Sequence, residues 1–211
     1  MLAAERQAAE AEGVATAAEL LAHWWSRPTP GELFTWLSAG GLEAQVSASL
    51  AADDGVPLAE AAANETGLLD EYERLFIGPG PVPCPPYESY WREDVPIDIR
   101  RSLMGPCTAE LDLLYHELGL ELEPTSGELP DHVAVELEAL AYALRRGEYG
   151  VAETLLSSHL RHFLPRLCRA VGRDAGNEFY RGLAVRTLSW LGALGREVNA
   201  LLGTPLEAGR G

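Results

Sequence analysis

Between residues 78 and 86 the chain reads Gly-Pro-Gly-Pro-Val-Pro-Cys-Pro-Pro, so proline or glycine fills seven of nine positions. Each proline lacks an amide donor and fixes its own φ, and no helix or central strand tolerates that density of missing hydrogen bonds. The segment is therefore an extended loop, stiffened by proline, and the rest of the fold must be built on either side of it. Upstream, Leu68, Leu69, Tyr72, Leu75 and Phe76 fall at helical spacings and share one apolar stripe that runs into the loop. Downstream, Leu111, Leu114, Tyr115 and Leu118 follow the i, i+3, i+4, i+7 pattern, and Gly119 marks a stop.

The same period dominates elsewhere. A first helix is expected over about residues 2–25, ending at Trp24–Trp25. Thr29, Pro30, Gly31 and Glu32 then read as a capping box with proline at the first helical position. The helix it opens carries Leu33, Phe34, Trp36 and Leu37, breaks at Gly40–Gly41 and resumes through Leu42, Val46 and Leu50; a short helix is expected after Pro57. A second loop spans 121–130 and leads into a helix starting near Pro130, with a seam of Val133, Leu137, Leu140 and Leu144. Segments 154–172 and 177–202 supply two more helices, and Pro165 is expected to kink or divide the first of them. No stretch alternates as a strand would, and nothing repeats at a fixed period. The expectation is an all-α, single-domain multi-helix bundle over residues 1–211 with one proline-rich loop. A chain of this length buries roughly 70% of its unfolded surface, so neither metal nor disulfide is needed to hold it together.

Sixteen basic residues face thirty-two acidic ones, a net charge of −16. That field repels phosphate backbones, which argues against nucleic acid, and attracts cationic peptides; solubility alone would also account for it. The three cysteines, Cys84, Cys107 and Cys168, are far apart and odd in number, without zinc spacing, which suits a reducing compartment. The N-terminus lacks the apolar core of a secretory signal, and no stretch approaches the roughly 18 apolar residues of a membrane helix. The arginine pairs Arg100–Arg101 and Arg145–Arg146 lie mid-chain and are no export signal of the protein's own. A cytoplasmic location without stable membrane insertion is expected.

Two segments carry more information than a bundle requires. In the first, Tyr72, Leu75, Phe76, Gly78 and Pro79 are followed by Pro85, Pro86, Tyr87, Ser89 and Trp91; in the second, Pro130, Asp131 and His132 open a helix that continues with Glu136 and Leu137. Together they resemble the two signature regions of the TorD/DmsD/NarJ family of redox-enzyme maturation chaperones. The resemblance covers about residues 65–145, and the flanking helices match only in general character. Tyr87 stands where some members carry tryptophan, and Glu88 brings charge to a place where a small residue would fit.

The resemblance implies a non-catalytic chaperone without a cofactor of its own. Its partners would be the twin-arginine signal peptide and apo-form of a molybdopterin oxidoreductase catalytic subunit, bound to assist cofactor insertion and delay export. The implied peptide-binding residues are Tyr72, Leu75, Phe76, Gly78, Pro79, Pro85, Pro86, Tyr87, Ser89, Trp91, Asp131, His132 and Glu136. Physically, a basic and apolar signal needs an apolar groove edged by carboxylates, because a guanidinium donates two parallel hydrogen bonds to one carboxylate. The residues also admit plainer roles. Asp131 could accept amide hydrogens at the helix start, worth about 1 kcal/mol, and the proline platform could simply cap the core. Glu136, one turn beyond His132, could orient the imidazole. His132 with Glu136, or His159 with His162, could each place two metal ligands on one helix face, but no third ligand is legible. Cys84 has no partner base in the sequence, and the glycine-rich loop lacks the Gly-Lys-Ser/Thr ending of a phosphate cradle. The alternative function is a carrier or small enzyme handling molybdopterin or GTP. Monomer and domain-swapped dimer both stay open, with loop 121–130 as the conceivable hinge.

Overall fold

The structure is a computed structural model and describes residues 2–29, 58, 67–93, 96, 105–123 and 127–202. The expected capping box after Thr29, the helix broken at Gly40–Gly41 and the helix after Pro57 lie outside these residues, apart from Thr29 and the buried Leu58. Among the described residues the chain is helical, with one isolated β-bridge and no strand. We number the helices α1 (Leu2–Trp25), α2 (Leu68–Tyr72), α3 (Glu88–Trp91), α4 (Pro106–Glu117), α5 (Val133–Arg146), α6 (Tyr149–Thr154), α7 (Arg161–Asp174) and α8 (Glu178–Leu202). Helix α2 continues as a π-helical turn over Glu73–Ile77, and a second π turn, Leu155–Leu160, joins α6 to α7. None of the described helices is long and apolar enough to cross a membrane.

Small residues decide how the centre packs. The inner face of α1 presents Val14, Ala15, Ala18, Leu21, Ala22 and Trp25, and α5 answers with Ala139, Leu140, Ala143 and Leu144, all buried. Alanine faces let the two helix axes approach closely, and α1 lies along α5 as the most extensive helix pair among the described residues. Helix α8 closes over them against α7. Its Thr187 hydroxyl accepts the Trp25 indole N–H at 3.0 Å and passes its own hydrogen to the Leu183 carbonyl at 2.8 Å, so the buried indole is not left unpaired. Around Trp25 the rings of Tyr72, Phe76 and Tyr180 cluster, with Phe76 edge to face 5.9 Å from Trp25 and 5.6 Å from Tyr180 and tilted against Tyr72 at 4.9 Å. This cluster anchors the stem of the proline-rich loop.

Helix boundaries agree with the periodicity where both can be compared. Helix α1 ends at Trp25, and α4 stops at a left-handed Gly119 with φ 71°. The helix expected to kink or divide at Pro165 runs through it, and the backbone instead widens upstream, at Leu155–Leu160. Such π turns recur beside functional sites because they re-aim side chains without ending the helix.

Candidate functional site

The proline-rich loop leaves the bundle through the π turn at Glu73–Ile77, where the Gly78 amide reaches back to the Glu73 carbonyl at 2.7 Å. Gly78 has φ 104° and ψ 178°, a conformation open to glycine alone, and a Cβ there would meet the Gly80 backbone nitrogen at 3.3 Å. The loop then returns to the core: the Cys84 amide donates to the Leu75 carbonyl at 3.0 Å, and the Trp91 indole donates to the Pro85 carbonyl at 2.7 Å.

Its far end is bonded to the second signature segment. Tyr87 and His132 form an antiparallel bridge, in which Val133 N–H donates to Pro86 O at 2.9 Å and Glu88 N–H to Asp131 O at 2.8 Å. Asp131 Oδ2 accepts the Ser89 amide at 3.1 Å, and the Tyr115 hydroxyl donates to the Pro130 carbonyl at 2.8 Å. The Tyr87 ring meets the His132 imidazole edge to face at 5.4 Å. Segments 84–91 and 130–136 are therefore one unit, fastened by backbone hydrogen bonds that the successive prolines Pro85 and Pro86 could not have supplied on their own amide side.

Within that unit the helix cap differs from the expectation. His132, not Asp131, caps α5: its Nδ1 accepts the Ala134 amide at 3.2 Å, while the Asp131 carboxylate turns to the start of α3. Glu136 does not serve the His132 imidazole either. It faces Glu88 and His159, and one ligand-capable atom from each of the three lies within 4.8 Å of the others. His159 Nδ1 is 2.9 Å from Glu88 Oε2, and Arg92 Nη1 is 2.6 Å from Glu88 Oε1 and 3.0 Å from the Ser158 carbonyl. His162, paired with His159 on spacing, is exposed and points elsewhere.

Burial controls the electrostatics. Glu88, Asp131 and Glu136 are fully buried and Ser89, His132 and His159 nearly so. Burial lifts the Asp131 carboxyl above its usual range, partly opposed by hydrogen bonding from Ser89. Burial, reinforced by Glu88 and Asp131 and opposed by Arg92, lifts Glu136 far above its usual range. His132 is pushed down to about 4 by burial, so it is neutral and free to accept at the cap. Burial raises the thiols of Cys84 and Cys107 to about 12, which leaves both as inert packing groups, and the three cysteines are free and buried.

Of the residues singled out on sequence, Tyr72, Leu75 and Phe76 are core, and Pro86, Ser89, Asp131, His132 and Glu136 are enclosed. Pro79 is exposed, while Gly78, Pro85, Tyr87 and Trp91 are half-buried, so solvent reaches the site through the loop and its aromatics. A concavity lies on the opposite face of α5. A cavity of about 360 Å³ opens between α1, the segment after α4 and α5, lined by Tyr115, Leu120, Leu122, Val135, Ala139 and Tyr142 and by the carboxylates of Glu19, Glu121 and Glu138. Partial desolvation and the nearby Glu19 raise the Glu138 carboxyl. Arg145 at the cavity edge pairs with Glu19 at 2.8 Å and Glu12 at 3.1 Å. Tyr115 ties the two places together, its ring in the cavity wall and its hydroxyl on Pro130.

Residues 39–169 match the nitrate reductase delta subunit family, more than half of the chain and both signature segments. The chain belongs to that family, the NarJ/TorD group. Within the family it is similar to the Tat proofreading chaperone DmsD of Salmonella typhi, 32% identical over 120 residues that make up 57% of this chain and 56% of the relative. The DmsD of Salmonella typhimurium strain LT2 is 31% identical over the same share. The matched region is thus little more than half the length of these curated relatives. Among solved structures, a redox enzyme maturation protein from Archaeoglobus fulgidus superposes with a TM-score of 0.58 at 25% identity, covering 84% of this chain and 93% of that one. The family's all-α architecture is the one described above.

Sequence reasoning passed over Arg92, noted Glu88 only as a charge in the loop, and paired His159 with His162 rather than with Glu88 and Glu136. A charged residue between Tyr87 and Ser89 in an otherwise apolar loop was the one available sign of Glu88. Nothing in the spacing of 88, 136 and 159 announces that they meet.

Proposed function

We propose that this protein is a cytoplasmic, non-catalytic maturation chaperone that holds the twin-arginine signal and apo-form of a molybdopterin oxidoreductase catalytic subunit until its cofactor is in place. The observation that carries the reading is the union of the two signature segments into one locked unit at the start of α5, whose opposite face lines an acid-rimmed apolar cavity. The names of the DmsD relatives and of the Archaeoglobus protein, a proofreading chaperone and a maturation protein, point the same way.

The chemistry fits such a client. A signal of this kind offers guanidinium groups followed by an apolar run. Leu120, Leu122, Val135 and Ala139 supply an apolar floor, and Glu19, Glu121 and Glu138 supply acceptors at its rim. Tyr87, Pro85 and Trp91 form a second accessible surface, on a loop whose prolines have already given up the entropy that binding would cost. Asp131, His132 and Glu136 act from inside, by holding that loop and the start of α5 in register. One groove with a few charged contacts supports micromolar affinity, about −8 kcal/mol, which still permits release.

Calorimetry tests this with a twin-arginine peptide, its Lys-Lys counterpart, GTP and molybdopterin side by side. Binding of the Arg-Arg peptide that weakens with Lys-Lys supports the proposal. Heat from the nucleotide or pterin with a silent peptide would establish a cofactor carrier instead. Tyr87→Ala, Asp131→Ala and His132→Ala are expected to weaken the peptide; unaltered affinity in folded variants removes those positions from the site.

A further inference from the structure

The buried group at Glu88, Glu136 and His159 has a charge problem that no described neighbour solves. Three carboxylates, those of Glu88, Asp131 and Glu136, are enclosed beside one partly buried guanidinium, Arg92, and one buried imidazole, His159. Arg92 is committed to Glu88 Oε1 and to the Ser158 carbonyl, and His159 to Glu88 Oε2. Both oxygens of Glu136 are left without a hydrogen-bond partner among the described residues, although the residue is completely buried. Asp131 Oδ1 is also without one. Buried carboxylates are normally paired or metal-bound, because an unpaired one loses its hydration and receives nothing in return.

We infer that Glu88, Glu136 and His159 form a binding site for one divalent first-row metal ion. The three ligand atoms already lie within 4.8 Å of one another, so contraction onto a common centre needs only small side-chain movements. Two carboxylates and an imidazole are hard-to-borderline donors, suited to zinc or manganese; no thiolate is present to favour copper(I) or an iron–sulfur cluster. The ion takes the place of the proton shared between His159 Nδ1 and Glu88 Oε2, and that proton leaves to solvent. Arg92 keeps the outer oxygen of Glu88. With His159 neutral, three carboxylates and one guanidinium leave a charge of −2, which a divalent ion cancels.

The consequence is structural. Glu88 opens α3 at the end of the proline-rich loop, Glu136 is in α5, and His159 is in the π turn before α7. An ion there would staple the loop to two helices, and the wide π turn is what brings His159 inward. The site is enclosed, so its work is to fix the loop rather than to activate a substrate.

Chelator-treated full-length protein titrated with ZnCl₂ and MnCl₂ decides the matter, by calorimetry and by thermal unfolding. One equivalent of either metal should bind and raise the melting temperature. Glu136→Gln, which keeps shape but removes charge, should lose more affinity than the 10–100-fold typical of losing an outer-shell partner, and should lose the metal-dependent rise in melting temperature. His159→Gln should do the same. Two protons, on Glu136 and His159, would balance the charge equally well. In that case wild type binds neither metal and Glu136→Gln melts at or above the wild-type temperature, which overturns the inference. Metal that binds wild type and Glu136→Gln alike is bound elsewhere, and overturns it too. The peptide experiment above is independent of both results.

Discussion

Helix α5 carries carboxylates on two faces that meet opposite surroundings. Glu136 looks inward, shut off from bulk solvent, beside Glu88, Asp131 and His159. Glu138, two residues on, looks outward across a cavity floored by leucine, valine and alanine, with Glu19 facing it from α1. Two residues of helix turn a side chain by about 200°, enough to change a group's task. The inner carboxylates interact with fixed partners at a low effective dielectric and hold one shape. The outer ones sit at a solvent-exposed rim, where each contributes little to stability on its own. On the proposed reading affinity belongs to the outer face and architecture to the inner one, and substitutions on the two faces should separate them.

The largest effect belongs to the inner face. Glu88→Ala removes an acceptor shared by the partly buried Arg92 guanidinium and the buried His159 imidazole. The expected loss of stability is about 3–5 kcal/mol, measured by urea unfolding. A loss below about 1 kcal/mol would place Glu88 with the rim carboxylates and erase the distinction.

Next comes acid. The His132 imidazole titrates near 4 in the folded chain and near the ordinary value of about 6.5 unfolded, so below 6.5 the unfolded chain binds more protons. His132 therefore contributes fully above pH 6.5, and its contribution is lost as pH falls towards 4, by up to about 3 kcal/mol over that window. His132→Asn keeps a cap acceptor for Ala134 and cannot titrate. Unfolding of the two proteins at pH 7 and pH 4.5 should show a smaller acid loss in the variant; equal losses would show that the imidazole is not what burial makes it.

Tyr115→Phe touches both regions at once. It deletes the hydrogen bond to Pro130 O while leaving the ring in the cavity wall. The expected cost is about 1–1.5 kcal/mol in thermal unfolding. Peptide affinity should change little, since the cavity floor survives; a loss of binding larger than the loss of stability would mean that the junction and the cavity are one site.

Much of this was legible beforehand. Helical period fixed α1, α4 and the seam of α5, because a core stripe needs Val133, Leu137, Leu140 and Leu144 on one side whatever the neighbours are. The proline density from Gly78 to Pro86 announced the loop, and the two signature segments announced the family. The partition of labour around them was not legible. Pattern says that Asp131 and His132 stand at a helix start, but which of them caps α5 depends on where Ser89 arrives, 42 residues earlier in the chain. Glu88, Glu136 and His159 meet only because α3, α5 and a π turn converge, and a π turn leaves no mark in the apolar period. The cavity is lined by Glu19 and Glu121, which on sequence are ordinary members of an acidic surface.

The smallest effects test the outer face and carry the recognition argument. Glu138→Gln and Glu19→Gln each remove one rim charge of a partly exposed pair, worth about 0.5–1 kcal/mol, so affinity for an Arg-Arg peptide should fall about two- to fivefold with the melting temperature unchanged. Arg145 offers a control of opposite sign. Its guanidinium occupies Glu19 at 2.8 Å, where an incoming arginine would have to compete. Arg145→Gln frees that carboxylate, and the peptide should bind more tightly by a similar factor. Both effects should shrink as salt is raised from about 50 to 500 mM, because rim charges are screened while the enclosed ones at Glu88 are not. Peptide affinity indifferent to all three substitutions would move the docking surface to Tyr87 and Trp91, and would leave the cavity as packing between α1 and α5.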